Sequence, residues 1–193
     1  TLPYRAAWDE YRASLSPAWR QVLDSYHPDA FGRRISGCGS MGVRNVLVLC
    51  ESGDPADFLF LEFKGQPGSA WRTHAHPDPE AHRGQAVAAG QQRLQTWSDP
   101  FLGWTTVADL ADGSSRPRGG GFRGGRSAPG EQAVPPGSGS GPPFLVRQWS
   151  DHKASFATED LRGEVLAAYA RICGTVLAKG HARSGDAVRL SSY

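Results

Sequence analysis

The stretch GCGSMGVRNVLVLCESGDPADFLFLEFK, residues 37–64, decides the reading of the fold. Val43 to Glu51 is rich in β-branched and apolar residues and predicts a strand. Ser52-Gly53-Asp54-Pro55 is a turn signal, and Phe58 to Lys64 predicts the strand that returns from it. Alternation in this returning strand puts Phe58, Phe60, Glu62 and Lys64 on one face and Leu59, Leu61 and Phe63 on the other. Upstream, Arg33 to Gly37 predicts another strand, so the glycines fall between two strands.

Those glycines match the pattern G-x-G-x-x-G, which has two uses. A dinucleotide fold needs a helix directly after the glycines, so that the helix N-terminus meets the pyrophosphate. Here a strand pattern follows. A strand–glycine turn–strand hairpin is the phosphate-covering loop of protein-kinase-like enzymes. Gly37, Gly39, Ser40 and Gly42 are therefore candidate nucleotide-binding residues, because glycine lets backbone amides approach phosphate oxygens without a Cβ in the way. A plain glycine-rich turn explains the same residues without a ligand. Lys64 is the candidate phosphate-pairing lysine, with a solvated strand-end lysine as the alternative. Its spacing of 22 residues from Gly42 is long, and the 52–57 turn absorbs it.

An acidic residue on the following helix should orient that lysine, yet no Asp or Glu lies between Ala81 and Thr96. Glu62 and Glu80 fall outside the helix interior and are poor substitutes. His181 and Asp186, in HARSGD after the last helix, are the candidate catalytic residues. They resemble the base-bearing loop of phosphotransferases, where Asp accepts the substrate hydroxyl proton. A helix cap and surface turn is the alternative reading. His74, His76 and His82, with Asp78 and Glu80, invite a metal reading. Prolines interrupt that segment and nothing fixes its geometry, which favours a solvated loop.

Working outward, residues 4–26 predict two short helices, with Trp8, Tyr11 and Leu15 on the first and Trp19, Val22, Leu23 and Tyr26 on the second. Ser16-Pro17 starts the second, and His27-Pro28 ends it. A helix is predicted from about Glu80 to Thr96, although Gly84 and Gly90 each disfavour it by about 1 kcal/mol relative to Ala. Leu102–Leu110 and Phe144–Trp149 predict strands. A last helix follows Thr158, carries Leu161, Val165, Tyr169, Ile172 and Val176 as one stripe, and closes at Gly180. The fold class is α+β around a mostly antiparallel sheet.

The chain has 193 residues, with 24 Gly and 14 Pro, above the usual combined share of roughly 12%. The excess sits in residues 113–143, which hold 10 Gly, 6 Pro and 5 Ser. Residues 1–112 and 144–193 are therefore expected to form one domain, and 113–143 a disordered insert. Its RGGGFRGGR tract at 118–126 carries Arg and Phe of the kind that contact single-stranded RNA, but a flexible loop is the preferred reading. The net charge of +2 gives no general case for nucleic acid or for an anionic membrane surface. No apolar run approaches the ~18 residues of a membrane span. Cys38, Cys50 and Cys173 are odd in number. Cys50 and Cys173 sit in apolar runs, predicting buried free thiols and a reducing, cytoplasmic setting. The chain begins at Thr1 and its one methionine is Met41, so the true N-terminus is expected to lie upstream.

Five stretches together resemble one bacterial family: ISGCGSMGVRN at 35–45, LFLEFKG at 59–65, HRGQAVAAGQQRLQTWSDPFLGWT at 82–105, VRQWSDHKAS at 146–155 and YARICGTVLAKGHARSGDA at 169–187. The chain resembles the C-terminal half of the family catalogued as domain of unknown function 2252, which is grouped with kinase-like folds. The resemblance implies a kinase-like nucleotide lobe with the phosphate loop at Gly37, Gly39, Ser40 and Gly42, and Lys64 as its lysine. It implies ATP with Mg as the cofactor and phosphoryl transfer as the chemistry. The family's C-G-D-x-H and D-F-D-E-like motifs lie upstream of the stretch present here, and this chain contains neither. It also has Ala89 where the helix glutamate is expected, and the 113–143 insert where the family has a short turn. The expectation is a partial kinase-like domain with little or no turnover alone, its catalytic half supplied by a separate chain or segment. The alternative is a non-enzymatic remnant or protein-interaction module.

Overall fold

A computed structural model describes residues 4–34, 42–68, 82–107, 141–149 and 157–192. Helices α1 (Arg5–Ser14) and α2 (Pro17–Leu23) lead into strands β1 (His27–Arg33), β2 (Asn45–Glu51) and β3 (Phe58–Gly65). Helix α3 (Arg83–Leu94) follows, then β4 (Gly103–Thr106) and β5 (Pro143–Gln148). A single 3-10 turn (Thr158–Asp160) precedes α4 (Gly163–Ser184) and the short α5 (Ala187–Ser191). The five strands form one antiparallel sheet in the order β1-β2-β3-β5-β4. The architecture is α+β, a five-stranded sheet with flanking helices.

The sheet has two unlike faces. Leu59, Leu61 and Phe63 of β3 turn to one of them, as the alternation predicts, and bury against Val48, Cys50, Phe144 and Val146. Tyr11, Leu15, Leu23 and Phe101 close this core from the side of α1 and α2. Tyr11 is fully buried, and its hydroxyl donates to the Phe101 carbonyl at 2.9 Å, which satisfies the one polar atom it carries inside. Burial raises the Tyr11 pKa well above its ordinary value, with Asp99 and Cys50 adding to the effect. Polar bonds fasten α1 to β4: Thr105 Oγ1 donates to the Ala7 carbonyl at 2.7 Å, and the Thr106 amide donates to Glu10 at 2.6 Å.

On the other face, α3 lies over β4 and β5, where Ala88 packs with Leu145 and Trp104. Gly84 in the first turn of α3 makes this approach possible, since a Cβ there would collide with the Phe144 carbonyl. The glycine that counts against the helix by propensity is thus required by its packing. Gly90, by contrast, faces open space.

Several expectations need correction. The first strand runs His27–Arg33 rather than Arg33–Gly37, and His27-Pro28 opens it rather than merely ending a helix. HPDAFGR contains Pro, Asp and Gly, all poor strand formers, and all seven residues are exposed on an edge strand, where Pro is tolerated. A bulge between Pro28 and Ala30 takes up the misfit. Gly180 does not close the last helix, which continues to Ser184; this glycine is buried against Leu94 instead. The α4 stripe faces solvent: Val165, Ile172 and Val176 are 62–65% exposed. Cys173 is exposed, whereas Cys50 is buried and its thiol is pushed up to about 12 by burial. Cys38, His74, His76, Asp78, Glu80 and residues 108–140 lie outside the described residues.

Two glycines of α3 therefore have opposite expected effects. Gly84→Ala should lower stability by about 2 kcal/mol or more, because backbone must move. Gly90→Ala should raise it by up to about 1 kcal/mol. Urea unfolding of the two variants checks both signs.

Candidate functional site

The face that α3 half covers carries the candidate residues, and β3 runs through its centre. Phe60, Glu62 and Lys64 share this face. Residues directly opposite in an antiparallel pair project to the same side, so Asn45, Lys64 and Leu145 form one cross-strand row. Leu47, Glu62 and Arg147 form the next.

Lys64 stands across from Asn45, the first residue of β2. The separation of 22 residues from Gly42 is folded away by the β2–β3 hairpin, so Lys64 lies opposite a position only three residues beyond that glycine. Gly42 has φ +82°, a conformation that favours glycine. Gly37, Gly39 and Ser40 lie outside the described residues. The backbone on either side of residues 35–41 is tied down. The Arg34 amide donates to the Asn45 carbonyl at 2.9 Å, and the Gly65 amide donates to the Arg44 carbonyl at 2.8 Å.

The partners of Glu62 are what the sequence did not disclose. The Glu62 side chain is 2% exposed and is held by two arginines. Arg147, its cross-strand neighbour on β5, donates from Nε at 2.8 Å and from Nη2 at 2.6 Å to Oε2. Arg34, just beyond β1, donates from Nη1 at 2.5 Å to Oε1. Burial alone would raise the carboxyl pKa, but the Arg147 and Arg34 guanidiniums outweigh it and hold the carboxyl below its ordinary value. A glutamate inside FLFLEFK was itself the signal, since a carboxylate in an apolar strand demands cationic partners. The Arg34 guanidinium also lies 5.7 Å from the centre of the Trp149 ring, whose edge meets Phe60.

The face therefore carries Arg34, Lys64 and Arg147 against Glu62. Both carboxylate oxygens of Glu62 are engaged, and among the described residues the Lys64 ammonium has no ion-pair partner. An excess of cations beside aromatic rings suits an anionic ligand with a flat group. As expected, α3 (RGQAVAAGQQRL) brings no acid to Lys64.

His181 and Asp186 are elsewhere. His181 is exposed in the last turn of α4. The Asp186 carboxylate caps α5, accepting from the Val188 and Arg189 amides at 3.0 and 3.2 Å. Their neighbours Gly180 and Arg183 touch Leu94 at the C-terminal end of α3. Gly84, at the other end of α3, meets Phe144, which pairs with Gly65 beside Lys64. The run of α3 from Gly84 to Leu94, about 15 Å at the helical rise per residue, separates Lys64 from these neighbours. His82 caps α3, its Nδ1 accepting from the Gln85 amide at 3.1 Å, with its ring 4.6 Å from that of Trp104. Burial lowers its pKa, which favours the neutral ring that can accept there. Among the described residues no group of three or more His, Cys, Asp or Glu is placed to hold a metal ion, and no helix is long and apolar enough to cross a membrane.

Because the Glu62 carboxyl is held below its unfolded value of about 4.3, its stabilisation is present above that pH and fades as pH falls through the folded value. Glu62→Gln should cost about 2 kcal/mol at pH 7, and the gap to the unmodified protein should shrink below about pH 4. Urea midpoints across pH 3–7 check this.

Comparison with known proteins adds one finding. No curated protein and no solved structure matches the chain. A family model described as "Uncharacterized protein conserved in bacteria (DUF2252)" matches residues 3–193. That span takes in every strand and helix described above, and the chain belongs to this bacterial family.

Proposed function

We propose that this chain is the nucleotide-holding part of a kinase-like phosphotransferase, binding ATP with Mg through the 37–42 glycines and Lys64. The observation that carries the reading is the Asn45↔Lys64 register, which sets Lys64, without an ion-pair partner among the described residues, beside the start of β2, where the glycine-rich segment ends. Two further features support it. Helix α3 follows β3 and packs on the face that Lys64 shares, the arrangement a β3 lysine has in kinase-like sites. The surplus of positive charge there is complementary to a polyphosphate.

In this reading the Lys64 ammonium neutralises phosphate charge, and the glycine-rich backbone supplies amide donors. Mg would be carried largely by the phosphates, as that ion prefers near-octahedral oxygen and keeps its own waters. Arg34 and Arg147 are spent on Glu62 and shape the floor of the site. His181 and Asp186, by the far end of α3, stay outside it. Turnover then depends on groups brought by a separate chain or segment, and the setting is cytoplasmic, where ATP is at hand.

One observation favours a second reading, a protein-interaction module. Val165, Leu166, Ile172, Val176 and Leu177 leave an apolar face of α4 exposed. Calorimetry with Mg-ATP separates the two. The chain should bind, and Lys64→Ala should weaken binding at least about tenfold, or about 1.4 kcal/mol. A folded chain that binds no Mg-ATP contradicts the nucleotide reading and favours the module.

A further inference from the structure

Among the described residues, Asn45 is one of three buried polar side chains, 2% exposed. Its Oδ1 is buried and has no hydrogen-bond partner among the described residues. A buried acceptor left unpaired is costly, and such atoms concentrate where a side chain serves function rather than stability. Asn45 sits directly opposite Lys64 in the β2–β3 register, where facing Cβ atoms are about 4.5–5.5 Å apart. Lys64 has a flexible four-carbon stem and three donors, so rotation about its own bonds is enough to bring its ammonium to Oδ1.

We propose that Asn45 is the positioning residue for Lys64: its amide oxygen holds the Lys64 ammonium at the adjoining ends of β2 and β3, in place of the acidic residue that α3 lacks. Glu62, the acid two positions back on β3 and on the same face, is not available for the task, because Arg34 and Arg147 occupy both of its oxygens. A neutral acceptor differs from a carboxylate in one useful respect. It fixes the ammonium without cancelling its charge, leaving the full charge for a phosphate. The role in ligand binding rests on the nucleotide reading above, while the Asn45–Lys64 contact can be read without any nucleotide.

Asn45→Leu removes the acceptor at similar size. Three quantities are measured: the rate of Lys64 acetylation by an N-hydroxysuccinimide ester in the ligand-free chain, read by peptide mass spectrometry; Mg-ATP affinity with and without Lys64→Ala; and the thermal midpoint. The expected result is at least threefold faster acetylation of Lys64, because an amine no longer tethered to Oδ1 is free to reach and attack the ester carbonyl. Mg-ATP affinity should fall at least fivefold when Lys64 is present and show no further loss in the Lys64→Ala background. The midpoint shows that the variant is folded; a merely structural asparagine would leave the Lys64 acetylation rate unchanged. If the leucine variant fails to fold, Asn45→Val provides the same readouts. An unchanged acetylation rate overturns the inference whatever the chain binds. Absence of Mg-ATP binding by the unmodified chain, together with an Asn45-dependent rate, contradicts the nucleotide reading and leaves the contact standing.

Discussion

The Glu62 carboxylate, buried between Arg34 and Arg147, is the constraint on which the helix-bearing face of the sheet depends. Taking a carboxylate out of water is expensive, and the two guanidiniums offset that cost only while all three groups keep their places. The arrangement joins the end of β1, the middle of β3 and the far part of β5, three segments that lie 28 and 85 residues apart along the chain. It also consumes both oxygens of the acid that shares a strand and a face with Lys64. Among the described residues the lysine, two positions along, is left without an ion-pair partner.

The two faces of the sheet divide the labour. One is a core of Leu59, Leu61, Phe63, Phe144 and Val146, sealed by Tyr11 and the helices before β1. Its tight fit, with Gly103 of β4 pressed against Tyr11 and Ser14, fixes the strands relative to one another. The other face can therefore carry charge, a buried unpaired amide oxygen and half-exposed aromatic rings without losing its shape. Functional groups built on strands held in this way are positioned more closely than groups on loops.

What the sequence disclosed follows from the range of each signal. Strands β2 and β3 and helix α3 are legible because apolar runs, turn residues and periodicity act within a dozen residues. The face assignment of Lys64 and Glu62 follows from alternation alone. β1 is hidden because HPDAFGR lacks the composition of a strand and is held through pairing with β2. Gly180 reads as a helix terminator because propensity carries no information about Leu94 packing on it. The arginine pair of Glu62 and the opposition of Asn45 and Lys64 are properties of register, which depends on how strands meet. Their residue types are visible beforehand, but their association is not.

Whether the Lys64 face holds a nucleotide is read out by amide hydrogen exchange with and without Mg-ATP, which reports where the chain responds. A nucleotide held there slows exchange in peptides covering residues 42–48 and 60–66 and leaves α1 and α2 unchanged. Unaltered exchange in those two peptides, or protection confined to α4 and α5, rules that site out.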